Sequence, residues 1–257
     1  MSEFRSALLK GGNVAAFAVT LLVNSLAGVG IIGGKSTGAI SDLYKTLVTP
    51  AGYVFSIWGV IYVLLGVFVV FQLLPSQNDR AFHRQIGVLF VLSCVFNVLW
   101  IFLWQYEFIV ASVPLILGLL VSLIWAYGRL NVGKSLVSLR EKLAVHLPFS
   151  VYFGWITVAS IADVAAALVS VGWDGFGISN VSWAIVFLGV ALVVTLVVVF
   201  WKKDVAYGLV VIWALAGIGV SQNAYQDVVT VVEVGIVAIA IAMVAAILIS
   251  WLRRKNP

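Results

Sequence analysis

The sequence is poor in charge, cysteine and histidine, and each shortage removes a class of function. Only 10% of the 257 residues are Asp, Glu, Lys or Arg, against about 25% in ordinary soluble proteins, so the chain cannot clothe a globular surface with solvated groups. The single cysteine, Cys94, permits no intrachain disulfide and leaves the redox compartment open. The two histidines, His83 in a charged segment and His146 at the start of an apolar run, give little support for haem ligation or a zinc site. No lysine lies deep in an apolar run, which removes retinal attachment through a Schiff base. Phosphate-loop and nucleophilic-triad spacings are missing, so no catalytic or metal-ligating residue is expected. The net charge of +5 does not indicate nucleic-acid binding, because the basic residues sit in short segments between apolar runs.

What remains is apolar. Hydrophobic residues make up 63% of the chain, in unbroken runs that do not alternate with polar positions, which excludes an outer-membrane barrel. A bilayer-spanning helix needs about 20 mostly apolar residues, and the sequence predicts eight spans, at 13–33, 53–74, 86–104, 108–127, 143–171, 181–200, 205–222 and 231–252. The expected fold is an all-α polytopic membrane bundle. The first run is long enough to span and reads as a transmembrane helix, not a removed leader. Short links after spans three and seven make spans three and four, and seven and eight, hairpin neighbours. The loop from Gly34 to Gly52 is rich in Gly, Ser and Thr.

Orientation follows from the positive-inside rule. With both termini cytoplasmic, Arg5, Lys10, Arg80, Arg84, Arg129, Lys134, Arg140, Lys142, Lys202, Lys203, Arg253, Arg254 and Lys255 lie inside, and only Lys35 and Lys45 lie outside. An odd number of spans would split this pattern.

Polar residues at membrane depth are Asn24, Gln72, Asn97, Asp163 and Glu233. Asn24 and Asn97 read first as hydrogen-bonded ties between helices. Asp163, among Ala, Val and Ile, is either protonated or lines a wet cavity, and Glu233 reads as interfacial. Of the ten tryptophans, Trp173, Trp183, Trp201 and Trp251 sit at span ends, as an interfacial belt requires. Trp58, Trp100, Trp125 and Trp155 lie within spans two to five. Trp58 with Tyr62, and Trp100 with Trp104, are spaced to stack along one helix face. Plain helix packing and an aromatic-lined cavity both account for that placement.

The segment Thr49-Pro50-Ala51-Gly52-Tyr53-Val54-Phe55-Ser56-Ile57-Trp58-Gly59-Val60-Ile61-Tyr62 resembles the start of the second helix in the TspO/MBR family, the tryptophan-rich sensory proteins related to the mitochondrial translocator protein. Asn97-Val98-Leu99-Trp100 is similar to the third-helix motif, and Leu147-Pro148-Phe149 with Trp155, Ala159 and Asp163 to the fifth. The chain departs from the compact members in a shorter Phe55 to Trp58 interval and a longer Pro148 to Trp155 one. Tyr53 replaces the usual Trp, and Asp163 stands where Asn is common. The three added helices, with Val211 to Leu215, resemble a longer prokaryotic branch.

The resemblance implies a five-helix ligand-binding bundle in residues 1–175, three further helices in 176–257, and a prokaryotic inner-membrane location. It implies a receptor or sensor for tetrapyrroles or other hydrophobic molecules, with no resident cofactor and with a porphyrin-like molecule entering as ligand. The pocket, under the first loop, would be lined by Tyr53, Phe55, Trp58, Asn97, Trp100, Trp155, Ala159 and Asp163, with Lys35 and Lys45 drawing ligand carboxylates. The alternatives are a transporter coupled through Asp163 and a light-dependent porphyrin-degrading activity. The expected partners are the bilayer, the ligand and a second copy of the chain, which small residues such as Gly208, Gly217 and Gly219 would permit to pack closely.

Overall fold

A computed structural model describes residues 3–255, which form helices and connecting turns with no strand among the described residues. Eight long helices account for the bundle: α1 (Glu3–Gly28), α2 (Ile57–Leu73), α3 (Leu89–Gln105), α4 (Ile109–Leu130), α5 (Leu147–Ser170), α6 (Asn180–Lys202), α7 (Val205–Ser221) and α8 (Gln226–Lys255). In hydrocarbon every backbone polar group must be satisfied within the chain, and helices do this locally. Six segments are long and apolar enough to cross a membrane, and α3 and α7 add two apolar helices of 17 residues each, about 25 Å at the helical rise. All eight predicted spans are therefore helical. The side chains of Arg5, Trp251, Arg253, Arg254 and Lys255 lie outside the described residues.

Boundaries differ where turn chemistry decides them. α1 ends at Gly28, short of the predicted residue 33, because Gly30, Gly33 and Gly34 adopt positive φ and break the helix. α5 begins with Pro148 in its first turn and continues upstream through a π-helical segment, Lys142–His146. Proline cannot donate to the preceding turn, and a one-residue wider turn accommodates it. Asn131 and Lys203, both left-handed, close α4 and α6.

The first five helices pack as a closed ring in the order α1, α2, α5, α4, α3. The predicted hairpin pairs α3–α4 and α7–α8 are both in contact. α5 is the most enclosed helix, and α1 the most exposed. On α5 small and polar residues, among them Ser150, Gly154, Thr157, Ser160, Ala165 and Ala166, are buried and let neighbours approach. α7 lies against α5, and α6, α7 and α8 pack on one another. At the end of the bundle opposite the first loop, Asp204 N-caps α7 through Tyr207 N (3.1 Å) and accepts from the Tyr127 hydroxyl of α4 (2.8 Å). Tyr207 Oη bonds Thr157 Oγ1 of α5 at 3.0 Å. These ties fasten the last three helices to the ring.

Candidate functional site

The first loop turns back over the ring. Ser36 caps a short helix, Thr37–Leu43, by accepting from Ala39 N at 3.2 Å, and Pro50 leads into a 3-10 turn, Gly52–Ser56, that feeds α2. Beneath it lies a cavity of about 210 Å³. Its walls are Asn24 and Gly28 of α1, Ser36 to Gly38 of the loop, Gly52 and Phe55 of the turn, and Trp58 and Tyr62 of α2.

Trp58 is the hub of an aromatic cluster. It stacks on Tyr62, with ring centres 5.6 Å apart and planes 16° from parallel, and on Trp100 at 5.9 Å. Its edge contacts are Trp155 at 6.1 Å and Tyr152 at 6.2 Å. Phe55 meets Trp155 edge-on at 5.9 Å, and Trp100 stacks on Trp104 at 5.9 Å. Both pairs expected from the sequence spacing are present.

A polar chain crosses the ring beside the cluster. Asn24 Nδ2 donates to Asn97 Oδ1 at 2.6 Å, and Asn97 Nδ2 donates to the Tyr152 hydroxyl at 3.0 Å, so three helices are tied through one buried amide. Three further polar atoms, the Tyr62 hydroxyl and the indole nitrogens of Trp100 and Trp155, are buried without a hydrogen-bond partner. Buried polar groups in an apolar interior are normally paired.

The loop is fixed on two sides. On the first, Gln105 Nε2 lies within hydrogen-bonding distance of the carbonyls of Ala27 (3.0 Å), Ile32 (2.9 Å) and Lys35 (2.7 Å), and Trp104 Nε1 donates to Thr37 O at 3.2 Å. A side chain at Gly33 would overlap the Gln105 carbonyl. Glu107 accepts from Lys35 Nζ at 2.7 Å and from the Tyr44 hydroxyl at 3.2 Å. These bonds hold its carboxyl below its ordinary range. On the second side, Gln222 Nε2 donates to Thr46 O (3.1 Å) and Thr49 O (3.0 Å), Ala51 N to Gly217 O (3.0 Å), and Trp213 Nε1 to Val54 O (3.2 Å).

Of the eight residues expected to line the pocket, Phe55 and Trp58 reach the cavity, and Trp100 and Trp155 stand behind Trp58. Asn97 is fully buried and bonded to Asn24 and Tyr152, an internal role where an amide donor to ligand was expected. Tyr53 is 49% exposed and packs edge-on to Trp213 of α7, because the 3-10 turn carries it to the outside. Ala159 is half-buried and is not a wall residue. Asp163, 2% exposed, accepts from Ser112 of α4 at 3.0 and 3.2 Å in the α4–α5 seam. Lys35 is neutralised by Glu107, and Lys45 belongs to a wider cavity between the loop and α5 to α7. Trp125 is 65% exposed and takes no part. Sequence reasoning passed over Tyr62, Tyr152 and Asn24 as site residues. Tyr152 lies three positions before Trp155, a spacing that puts both on one face.

A family model described as TSPO-like protein matches residues 8–251, which takes in all eight helices. No curated protein and no solved structure matches the chain.

Proposed function

The chain belongs to the TSPO-like family, and from that premise we propose a multi-pass membrane receptor or sensor that takes a tetrapyrrole or similarly flat hydrophobic ligand beneath the first loop. In this reading residues 1–175 carry the ligand and residues 176–257 extend the bundle. One observation carries it: the cavity opens onto a continuous aromatic stack through Phe55, Trp58 and Tyr62, and the Tyr62 hydroxyl is buried without a partner. An unpaired polar group in an apolar interior costs free energy until something accepts its proton. A macrocycle offers a broad π face for the stack and polar atoms for that hydroxyl.

The cavity of about 210 Å³ is smaller than the roughly 300–1,000 Å³ of typical small-molecule sites. Entry of a tetrapyrrole therefore requires the Thr37–Leu43 helix to lift, which breaks its bond to Trp104, the adjoining Tyr44–Glu107 bond and the packing of the buried Ile40. The transporter reading gains less support, since Asp163 is bonded to Ser112 and is a wall residue of neither this cavity nor the wider one.

The test is titration of the full chain in lipid nanodiscs with protoporphyrin IX, followed by tryptophan quenching. Wild type should quench saturably. Trp58→Ala combined with Trp155→Ala should weaken the fitted affinity roughly tenfold, as the loss of two aromatic contacts of about 0.5–1.5 kcal/mol each implies. Wild type without saturable quenching would overturn the proposal.

A further inference from the structure

A second hollow, larger than the one beneath the first loop, lies outside the Trp58 cluster. A cavity of about 530 Å³ opens at the first-loop end, between Lys45 to Val48 of the loop, the last turns of α5, the α5–α6 link, the first turns of α6, and the α7–α8 turn. No residue of its wall belongs to the smaller cavity. Its volume falls within the range of small-molecule sites.

Its interior has two distinct regions. On one side Trp173 and Trp183 meet with ring centres 4.8 Å apart, and Phe187 continues the surface 6.1 Å from Trp183. Trp183 Nε1 donates to Gly175 O at 3.0 Å, so this ring is held in place. On the other side stand Lys45 and the start of α6. Lys45 is exposed and has no ion-pair partner among the described residues. The N-cap hydroxyl of Ser179 accepts from Ser182 N, and the start of this 23-residue helix forms part of the wall through Asn180. A helix N-terminus and a cation together favour an anion. Of the acids at this end, Glu107 is bound to Lys35, Asp174 accepts from Phe176 N, and neither they nor Asp42 and Asp227 form part of the wall.

We propose that this cavity is a second ligand site, separate from the pocket under the first loop, and that it takes a flat aromatic carboxylate. The aromatic body lies against Trp173, Trp183 and Phe187, and the carboxylate faces Lys45 and the first turn of α6. The site is built jointly by the five-helix ring and the added helices.

Photolabelling of the full chain in nanodiscs with 4-benzoylbenzoate, and in parallel with uncharged benzophenone, tests the assignment by peptide mapping. The carboxylate probe should label residues 165–187 and 221–225. Lys45→Glu should lower that labelling about fivefold, the scale of one charge interaction of roughly 1 kcal/mol, while Lys45→Arg retains it and benzophenone labelling stays unchanged. Lys45 is an exposed loop residue, so its variants should keep the wild-type gel-filtration profile. Equal response of both probes to Lys45→Glu, adducts spread over the lipid-facing helix surfaces, or adducts confined to the Trp58 cavity would each overturn the proposal.

Discussion

Asn97 shows how much one side chain can organise when its surroundings offer no water. Its amide joins α1 to α5 through Asn24 and Tyr152, and removing it leaves the Tyr152 hydroxyl unpaired and Asn24 with only its bond to Thr20 O. Asn97→Leu should therefore cost about 0.6–2 kcal/mol, the range for interhelical hydrogen bonds in membranes. Thermal unfolding in detergent would show the loss as a lowered midpoint. At this scale the sequence was a good guide for polar residues and a poor one for aromatic ones. An asparagine inside an apolar run has to find a partner, so an interhelical tie at Asn24 and at Asn97 was legible, although not that the two bond each other. Trp125 and Trp155 looked alike in the sequence, yet one is exposed and the other buried. Lipid is as apolar as a protein core, so the face of such a helix that turns inward leaves no hydrophobic signature.

Among the elements, the first loop has the most consequence and was the least legible. Its composition announced turns. Its anchorage depends on backbone carbonyls that only tertiary geometry selects, as Gln105 does with Ala27, Ile32 and Lys35. The Lys35–Glu107–Tyr44 contact adds a pH dependence whose sign follows from the depressed carboxyl of Glu107. A group with a folded-state pKa below its unfolded value contributes fully above the unfolded value, and the contribution vanishes as pH falls through the folded one. The loop should stay closed from neutral pH down to about 5 and loosen below about 4, the ordinary range of a glutamate. Amide hydrogen exchange over residues 35–45, expressed as protection relative to the free-peptide rate and compared with Glu107→Gln, would show it: the variant should have lower protection that does not change with pH, and a wild type whose protection does not fall in acid would contradict the assignment.

The whole molecule was legible in its order and count of helices, because apolar run length and basic loops report directly on membrane crossing. The wider cavity was not, since its wall joins residues 45–48, 165–187 and 221–225, segments whose meeting no local pattern encodes. The same holds for the contact between α7 and the start of α2. A side chain at Gly217 would overlap the side chain of Val54. Gly217→Leu should push the two apart at a cost of about 1–3 kcal/mol, typical of overpacking, read as a lowered unfolding midpoint in detergent, and Gly217→Ala should lower it less.

The bonds from Gln222 to Thr46 and Thr49, and from Ala51 to Gly217, also set an order of events during synthesis. The carbonyls at 46 and 49 and the amide at 51 leave the ribosome well before their partners in α7. A nascent chain that has inserted only its first five helices holds the ring with one side of its cover unfastened. Closure of the cover is thus a late step of biogenesis, reached only after the seventh helix has entered the bilayer and docked.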